Sequence, residues 1–98
     1  MTFDSSTGTI RLFIAGKAPN SIIALDNLHR LLDRAGISWN RVHIVDVMEH
    51  PEEALDRGVF ITPALLLGSG ASTLIIYGNL TKTRELDSIF GTDLEANA

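Results

Sequence analysis

The chain contains 98 residues, of which 45% are hydrophobic and 20% charged, and this composition predicts one small globular domain spanning residues 1–98. Its net charge of −4, with eight basic and twelve acidic residues, argues against nucleic-acid partners and membrane surfaces, because both require a surplus of lysine and arginine. The absence of cysteine excludes disulfides, thiolate metal sites and a cysteine nucleophile.

The first half of the chain predicts a strand followed by a long amphipathic helix. Residues 10–15 form an apolar run interrupted only by Arg11, which is typical of a strand. Asn20 or Ser21 is placed to cap the helix that follows, and Gly36 is placed to end it. The predicted apolar face recurs at helical spacing and consists of Ile22, Leu25, Leu28, Leu32 and Ala35.

A second strand is predicted over residues 39–47, which are rich in β-branched side chains. Alternation places Arg41 and His43 on its wetter face, while Val42 and Ile44 point inward. Because a helix separates this strand from the first, the two should form a right-handed βαβ unit.

The second half of the chain predicts a short helix and a hairpin. Pro51, Glu52 and Glu53 suit the first turn of a helix, and Gly58 ends it within two turns. Two short strands follow, joined by a tight turn over residues 68–70.

Thr81 is placed to cap a last helix with a thin apolar stripe. Residues 1–9 and 92–98 are interpreted as a flexible leader and tail because they show no periodicity. The predicted fold is therefore α/β, with element order βαβαββα and a mixed sheet. With no export signal visible in the leader, the protein is expected to be cytoplasmic.

Candidate catalytic and metal-binding side chains do not converge. His43 and Asp46 fall on opposite faces of their strand, so they cannot bind one metal ion together with His50. Glu52 and Glu53 are explained by the favourable field at a helix N-terminus and carry no acid/base role. The sequence predicts a protein that is not an enzyme and takes no cofactor.

The layout of strand, turn, long helix and a Thr-Pro pair before a hairpin resembles that of thioredoxin-like domains. In such domains the proline is usually cis, which makes Pro63 a candidate structural cis-proline. The turn after the first strand, where thioredoxins hold their redox motif, contains no thiol over residues 17–20. Disulfide exchange is therefore chemically impossible.

A more specific resemblance rests on the motifs AGxxPNS at residues 15–21, IVDV at residues 44–47 with a proline four residues on, and TP at residues 62–63. From about residue 10 to residue 80 the chain resembles the KaiB family of bacterial circadian-clock proteins. The family's proline-rich connection is replaced at residues 68–72, and Leu67 stands where a lysine is usual. The chain is identified as a divergent member.

This resemblance implies a protein without an active site that binds a hexameric KaiC-type ATPase. Further partners implied by the family are a KaiA-like protein and a clock-linked histidine kinase. The resemblance also implies a metamorphic fold, in which the thioredoxin-like form exchanges with a tetrameric resting form of order βαββααβ. Whether this chain rests as a monomer, dimer or tetramer is left open.

The predicted partner-binding surface lies on the second strand and the residues that flank it, because an exposed polar strand edge suits contact with another protein. Its members are Trp39, Asn40, Arg41, His43 and Arg57. An alternative function, from a different class, is a thioredoxin-like adaptor or stress-response module that binds an unrelated protein.

Overall fold

A four-stranded mixed sheet organises the chain in the computed structural model, which describes residues 7–70, 72–81 and 83–90. The strands are β1 (Thr9–Ile14), β2 (Val42–Asp46), β3 (Ala64–Ser69) and β4 (Ser72–Tyr77), and the helices are α1 (Pro19–Ala35), α2 (Pro51–Asp56) and α3 (Thr83–Phe90). The strand order is β2-β1-β3-β4; β1 and β2 are parallel, and the other two pairings are antiparallel. The order along the chain matches the predicted βαβαββα and differs from the alternative βαββααβ.

Each face of the sheet has its own core. On one face, α1 and α3 cover β1 and β3; on the other, α2 and the segment after it pack on β1, β2 and β3. The first core includes Leu12, Leu28, Leu32, Leu65 and Phe90, and the second consists of Phe13, Val45, Ala54, Val59, Ala64 and Leu66. The two central strands, β1 and β3, each contribute buried residues to both cores and so connect them.

The start of α1 differs from the prediction that Asn20 or Ser21 caps it. The helix begins at Pro19 after Ala18, and no side chain caps it. Proline suits this position because its missing N–H would be unpaired there in any case. Ser21 is instead buried, and its hydroxyl accepts a hydrogen bond from the backbone N–H of Ala15 at 3.0 Å. Gly36 ends the helix in the left-handed conformation at φ 70°, as predicted.

The predicted inward face of α1 was wrong at its first turn. Ile22 is 53% exposed, while Leu31 is fully buried. Ile22 follows the buried Ser21 by one position, which is about 100° around the helix, so it lies beside the buried stripe formed by Ser21, Ala24, Leu28, Leu31 and Leu32.

The predicted strand over residues 39–47 is shorter in the structure. Its first part, Trp39–Arg41, is a 3₁₀ turn, and the hydroxyl of Ser38 accepts a hydrogen bond from the N–H of Asn40 at 3.2 Å. The prediction that Ile44 points inward was also wrong, since its side chain is 37% exposed. The reason is that β2 lies at the edge of the sheet, where cover from the helices is incomplete.

The second half agrees with the prediction in its main elements. The bond between Thr62 and Pro63 is cis, and β3 and β4 pair as a hairpin from Ala64 with Tyr77 to Ser69 with Ser72. Thr81 does not directly precede α3; its hydroxyl donates to the Oδ1 atom of Asn79 at 2.9 Å.

The predicted leader and tail fall mostly outside the described residues, and β1 already includes Thr9. Among the helices of the described ranges, none is long and apolar enough to cross a membrane.

Candidate functional site

The five predicted partner-binding residues are divided between different parts of the molecule. Trp39 lies on the α1 side of the sheet, where it is half-buried and packs against the first core. Its ring centroid is 4.9 Å from that of His29 on α1. These contacts assign Trp39 mainly to the packing of the 3₁₀ turn, while Asn40 beside it is exposed.

Arg41 and His43 lie together with Arg11 of β1 around one shallow cleft on the α2 side of the sheet. We call this the basic cleft. Arg11 pairs in register with His43 across β1 and β2, so both side chains emerge on the same face. An Nη2 atom of Arg41 donates to the carbonyl oxygen of Gly8 at 2.8 Å, which ties the start of β2 to the residue before β1.

Helix α2 stands beside the basic cleft. The Nε2 atom of His43 is 3.6 Å from a carboxylate oxygen of Glu53, in the first turn of the helix. Arg57 follows Glu53 by one helical turn and is exposed at the C-terminal end of α2. The backbone N–H of Arg57 donates to the carbonyl oxygen of Ala54 at 3.2 Å, whereas its guanidinium forms no hydrogen bond or ion pair with another residue in the described ranges. This side of the sheet therefore carries the arginines of the basic cleft and Arg57, together with the acidic residues Glu52, Glu53 and Asp56 of α2.

The turn that follows β1 is held at two points. Asp46 at the end of β2 accepts hydrogen bonds on one carboxylate oxygen from the backbone N–H groups of Gly16 and Met48, each at 3.0 Å. Ser21 holds the other side of the turn through Ala15. These bonds fix the segment that occupies the place of a redox motif in thioredoxins, although it contains no group capable of thiol chemistry.

Several large apolar side chains are exposed where the strands end, on the side of the sheet from which this turn leaves β1. Strand register brings the ends of β1 and β2, the start of β3 and the end of β4 to this edge. Met48 is 73% exposed, Phe60 77% and Ile61 64%, and Tyr77 is also exposed. We call these four residues the apolar edge. Exposed apolar side chains grouped at one edge are typical of surfaces that bind another protein.

Sequence reasoning missed the exposure of this edge and the position of Arg11 beside Arg41 and His43. Phe60 and Ile61 belong to an apolar run that favours a strand, but in the structure they lie in the connection before Pro63. The signal for Arg11 was present, since it is the single charged residue within the first apolar strand. Among the residues that the structure describes, no group of three His, Cys, Asp or Glu side chains could hold a metal ion.

Comparison with known sequences identifies one family over most of the chain. The KaiB domain model matches residues 11–89. The chain is 27% identical over 88 residues to the circadian clock oscillator protein KaiB of Thermosynechococcus vestitus, a match that covers 90% of this chain and 80% of that protein. It is 28% identical over 92 residues to the circadian clock protein KaiB3 of Synechocystis sp., with 93% and 87% covered.

Solved structures that are similar to this chain include a thioredoxin and the N-terminal domain of another protein. Mitochondrial thioredoxin 3 from Saccharomyces cerevisiae superposes with a TM-score of 0.65 at 22% identity, over 80% of this chain and 73% of that one. The N-terminal domain of SasA from Synechococcus elongatus gives a TM-score of 0.58 at 20% identity, over 93% and 77%. The fold is therefore thioredoxin-like, as the sequence predicted.

Proposed function

The chain belongs to the KaiB family of circadian clock proteins, and from this premise we propose that it is a non-enzymatic regulator that binds a KaiC-type ATPase. The observation that carries the proposal is the family match over residues 11–89, on a thioredoxin-like fold whose redox turn has no thiol. Such a protein has the fold of a thioredoxin and lacks the thiol chemistry.

Two surfaces support binding to a protein. The apolar edge offers large side chains that lose contact with water when a partner covers them. The basic cleft and Arg57 offer positive charge, which selects a partner patch of opposite sign and speeds association. We propose that the partner contacts the molecule through Asn40, Arg41, His43 and Arg57, with Trp39 supporting the turn beneath them.

The direct test is size-exclusion chromatography of the purified chain with and without the KaiC-type ATPase of the same organism, in the presence of ATP. Co-elution in a larger complex is expected. The chain alone gives its resting oligomeric state in the same experiment. If no complex forms at micromolar concentration, the proposal fails and the adaptor function becomes the better explanation.

Arg41→Glu should weaken ATPase binding by about tenfold or more, because it reverses a charge on the proposed contact surface. The substitution also removes the hydrogen bond from Arg41 to the carbonyl oxygen of Gly8, so stability should fall by about 1 kcal/mol. Titration of the ATPase in an interferometry assay, together with thermal melting, measures both effects.

The matched control for this substitution is Arg30→Glu. Arg30 is exposed on α1, on the other side of the sheet, where it pairs with Asp26 at 2.8 Å. The control makes the same change in net charge, so binding should stay near that of the unchanged protein. Equal loss of binding in both variants would show a general charge effect and would remove the basic cleft from the interface.

We also propose that the second half of the chain exchanges between two packings, as the family resemblance implies. In β4 the first three residues are exposed, and among the α3 side chains that the structure describes, Leu86 and Phe90 belong to the buried core. A segment with few buried contacts is separated from other packings by a small free-energy difference.

This exchange predicts two sets of amide resonances for residues after about 50 and one set for the residues before. A two-dimensional NMR spectrum with exchange spectroscopy is the measurement. A single set of resonances with uniform hydrogen-exchange protection across both halves would contradict it.

The cytoplasmic location and the KaiA-like and histidine-kinase partners stay predictions.

A further inference from the structure

Arg11 is the unusual residue of the sheet. It lies in the middle of β1, between His43 of β2 and Leu66 of β3 in register, and it is half-buried. Within the described part of the chain, its guanidinium makes no hydrogen bond or ion pair. Arginine at a partly buried position is normally paired, because removing its charge from water costs free energy.

The basic cleft around Arg11 is open because α2 covers only part of its face of the sheet. Helix α2 has six residues and packs with Phe13 and Val45, which lie nearer the C-terminal ends of β1 and β2. The remaining depression has a volume of about 290 Å³ and is lined by Gly8, Thr9, Ile10, Arg11, Arg41 and His43. The cleft is thus wide enough for a small ligand, and no helix of the described ranges covers its floor.

Two details of the cleft preserve its shape. The bond from Arg41 to the carbonyl oxygen of Gly8 limits the orientations of that guanidinium. Gly68 of β3 lies opposite Thr9 in register, and a Cβ atom there would come within 2.6 Å of the hydroxyl oxygen of Thr9. The glycine therefore leaves room for the threonine side chain at the rim.

The charge balance of the cleft favours an anion. Among the residues that the structure describes, Glu53 places its carboxylate beside a cleft residue, His43. Neither Arg11 nor Arg41 has an acidic partner in the described ranges. Two guanidinium groups therefore remain available, together with the threonine hydroxyl.

From this arrangement we propose that the basic cleft binds the phosphate group of a small ligand. A phosphate presents three acceptor oxygens and a charge near −2, so it can use donors from both arginines at once, whereas a carboxylate is satisfied by one guanidinium fork. The proposal goes beyond binding to a protein partner and does not depend on it.

The test is an NMR titration of the isolated protein with inorganic phosphate at constant ionic strength. Saturable shifts are expected for the amides around Gly8, Arg11 and His43. Arg11→Gln and Arg41→Gln should each weaken binding by about tenfold, the loss expected for a charged hydrogen-bonding partner. Arg11→Lys should give an intermediate affinity, because it keeps the charge and loses the planar fork.

Arg30→Gln is the control, since it removes one positive charge outside the cleft and should leave the affinity unchanged. Pyrophosphate and adenosine monophosphate, titrated in parallel, distinguish a free phosphate from one carried by a nucleotide.

The proposal is overturned if no saturable shifts appear, if they occur elsewhere, or if Arg11→Gln binds phosphate as well as the unchanged protein. Tighter binding of a short polyglutamate peptide than of any phosphate compound would also overturn it. No partner protein is present, so the result is separate from the outcome of the ATPase experiment.

Discussion

Replacing Phe13 with alanine should lower the free energy of unfolding by about 3–5 kcal/mol, the cost of removing a fully buried aromatic ring and leaving a cavity. Phe13 has no exposed surface and packs among the side chains of the second core. Its neighbours lie on three strands and α2, so they cannot close the cavity by a local movement. Since a domain of this size is stable by about 5–15 kcal/mol, the variant should be close to unfolding. Urea denaturation followed by circular dichroism measures the change.

Phe60→Ala is the matched control, because the same substitution is made where the ring is 77% exposed. A change within about 0.5 kcal/mol is expected there. If the two variants lost equal stability, or if Phe13→Ala lost less than about 1 kcal/mol, the second core would not be packed as described.

Local pattern and tertiary packing agree in the part of the fold that could be predicted. Helix α1 shows this agreement from Ala24 onward, where apolar residues at helical spacing meet the sheet and Gly36 takes the φ that ends a helix. The hairpin was predictable for the same reason, since a short turn joins two runs of strand-forming residues. In α1 burial follows the helical spacing of apolar residues, whereas in the hairpin the sequence predicts the strands and does not predict which residues are buried.

Prediction failed where tertiary structure decides which positions are covered. Ile22 fits the predicted apolar spacing of α1, but it lies beside the stripe of residues that is buried, so it remains exposed. Ile44 continues the strand period of β2, but an edge strand has neighbours on only one side. The spacing of apolar residues shows which of them share a face of a helix or strand. It does not show how much of that face the neighbouring layer covers.

The candidate site was predictable only in part. Arg41 and His43 were placed on one face by strand alternation, and the structure does place them around one cleft. Arg11 joins them through pairing between distant segments, and Trp39 leaves the group because a 3₁₀ turn replaces the start of the strand. Neither event has a local signature in the sequence.

Asp46→Ala should destabilise the protein by about 2–3 kcal/mol, because one charged acceptor serves two backbone N–H groups and such bonds contribute more than neutral ones. The bonds from Gly16 and Met48 are both 3.0 Å long, and they join the turn after β1 to the segment after β2. Without them the turn should loosen while the two cores stay packed. Hydrogen exchange at the amides of Gly16 and Met48 should therefore accelerate more than exchange in the core of β1.

Asp46→Asn separates the geometry of these bonds from the charge of the acceptor. The amide oxygen of asparagine can still accept both N–H groups, so this variant should lose less than half as much stability as the alanine variant. Asp26→Ala serves as an exposed control on α1, where an ion pair with Arg30 contributes little. Because Met48 belongs to the apolar edge, Asp46→Ala should also weaken ATPase binding, through loss of a fixed conformation and with no contact side chain changed. Unchanged amide exchange at Gly16 and Met48 in the alanine variant would show that Asp46 does not hold the turn.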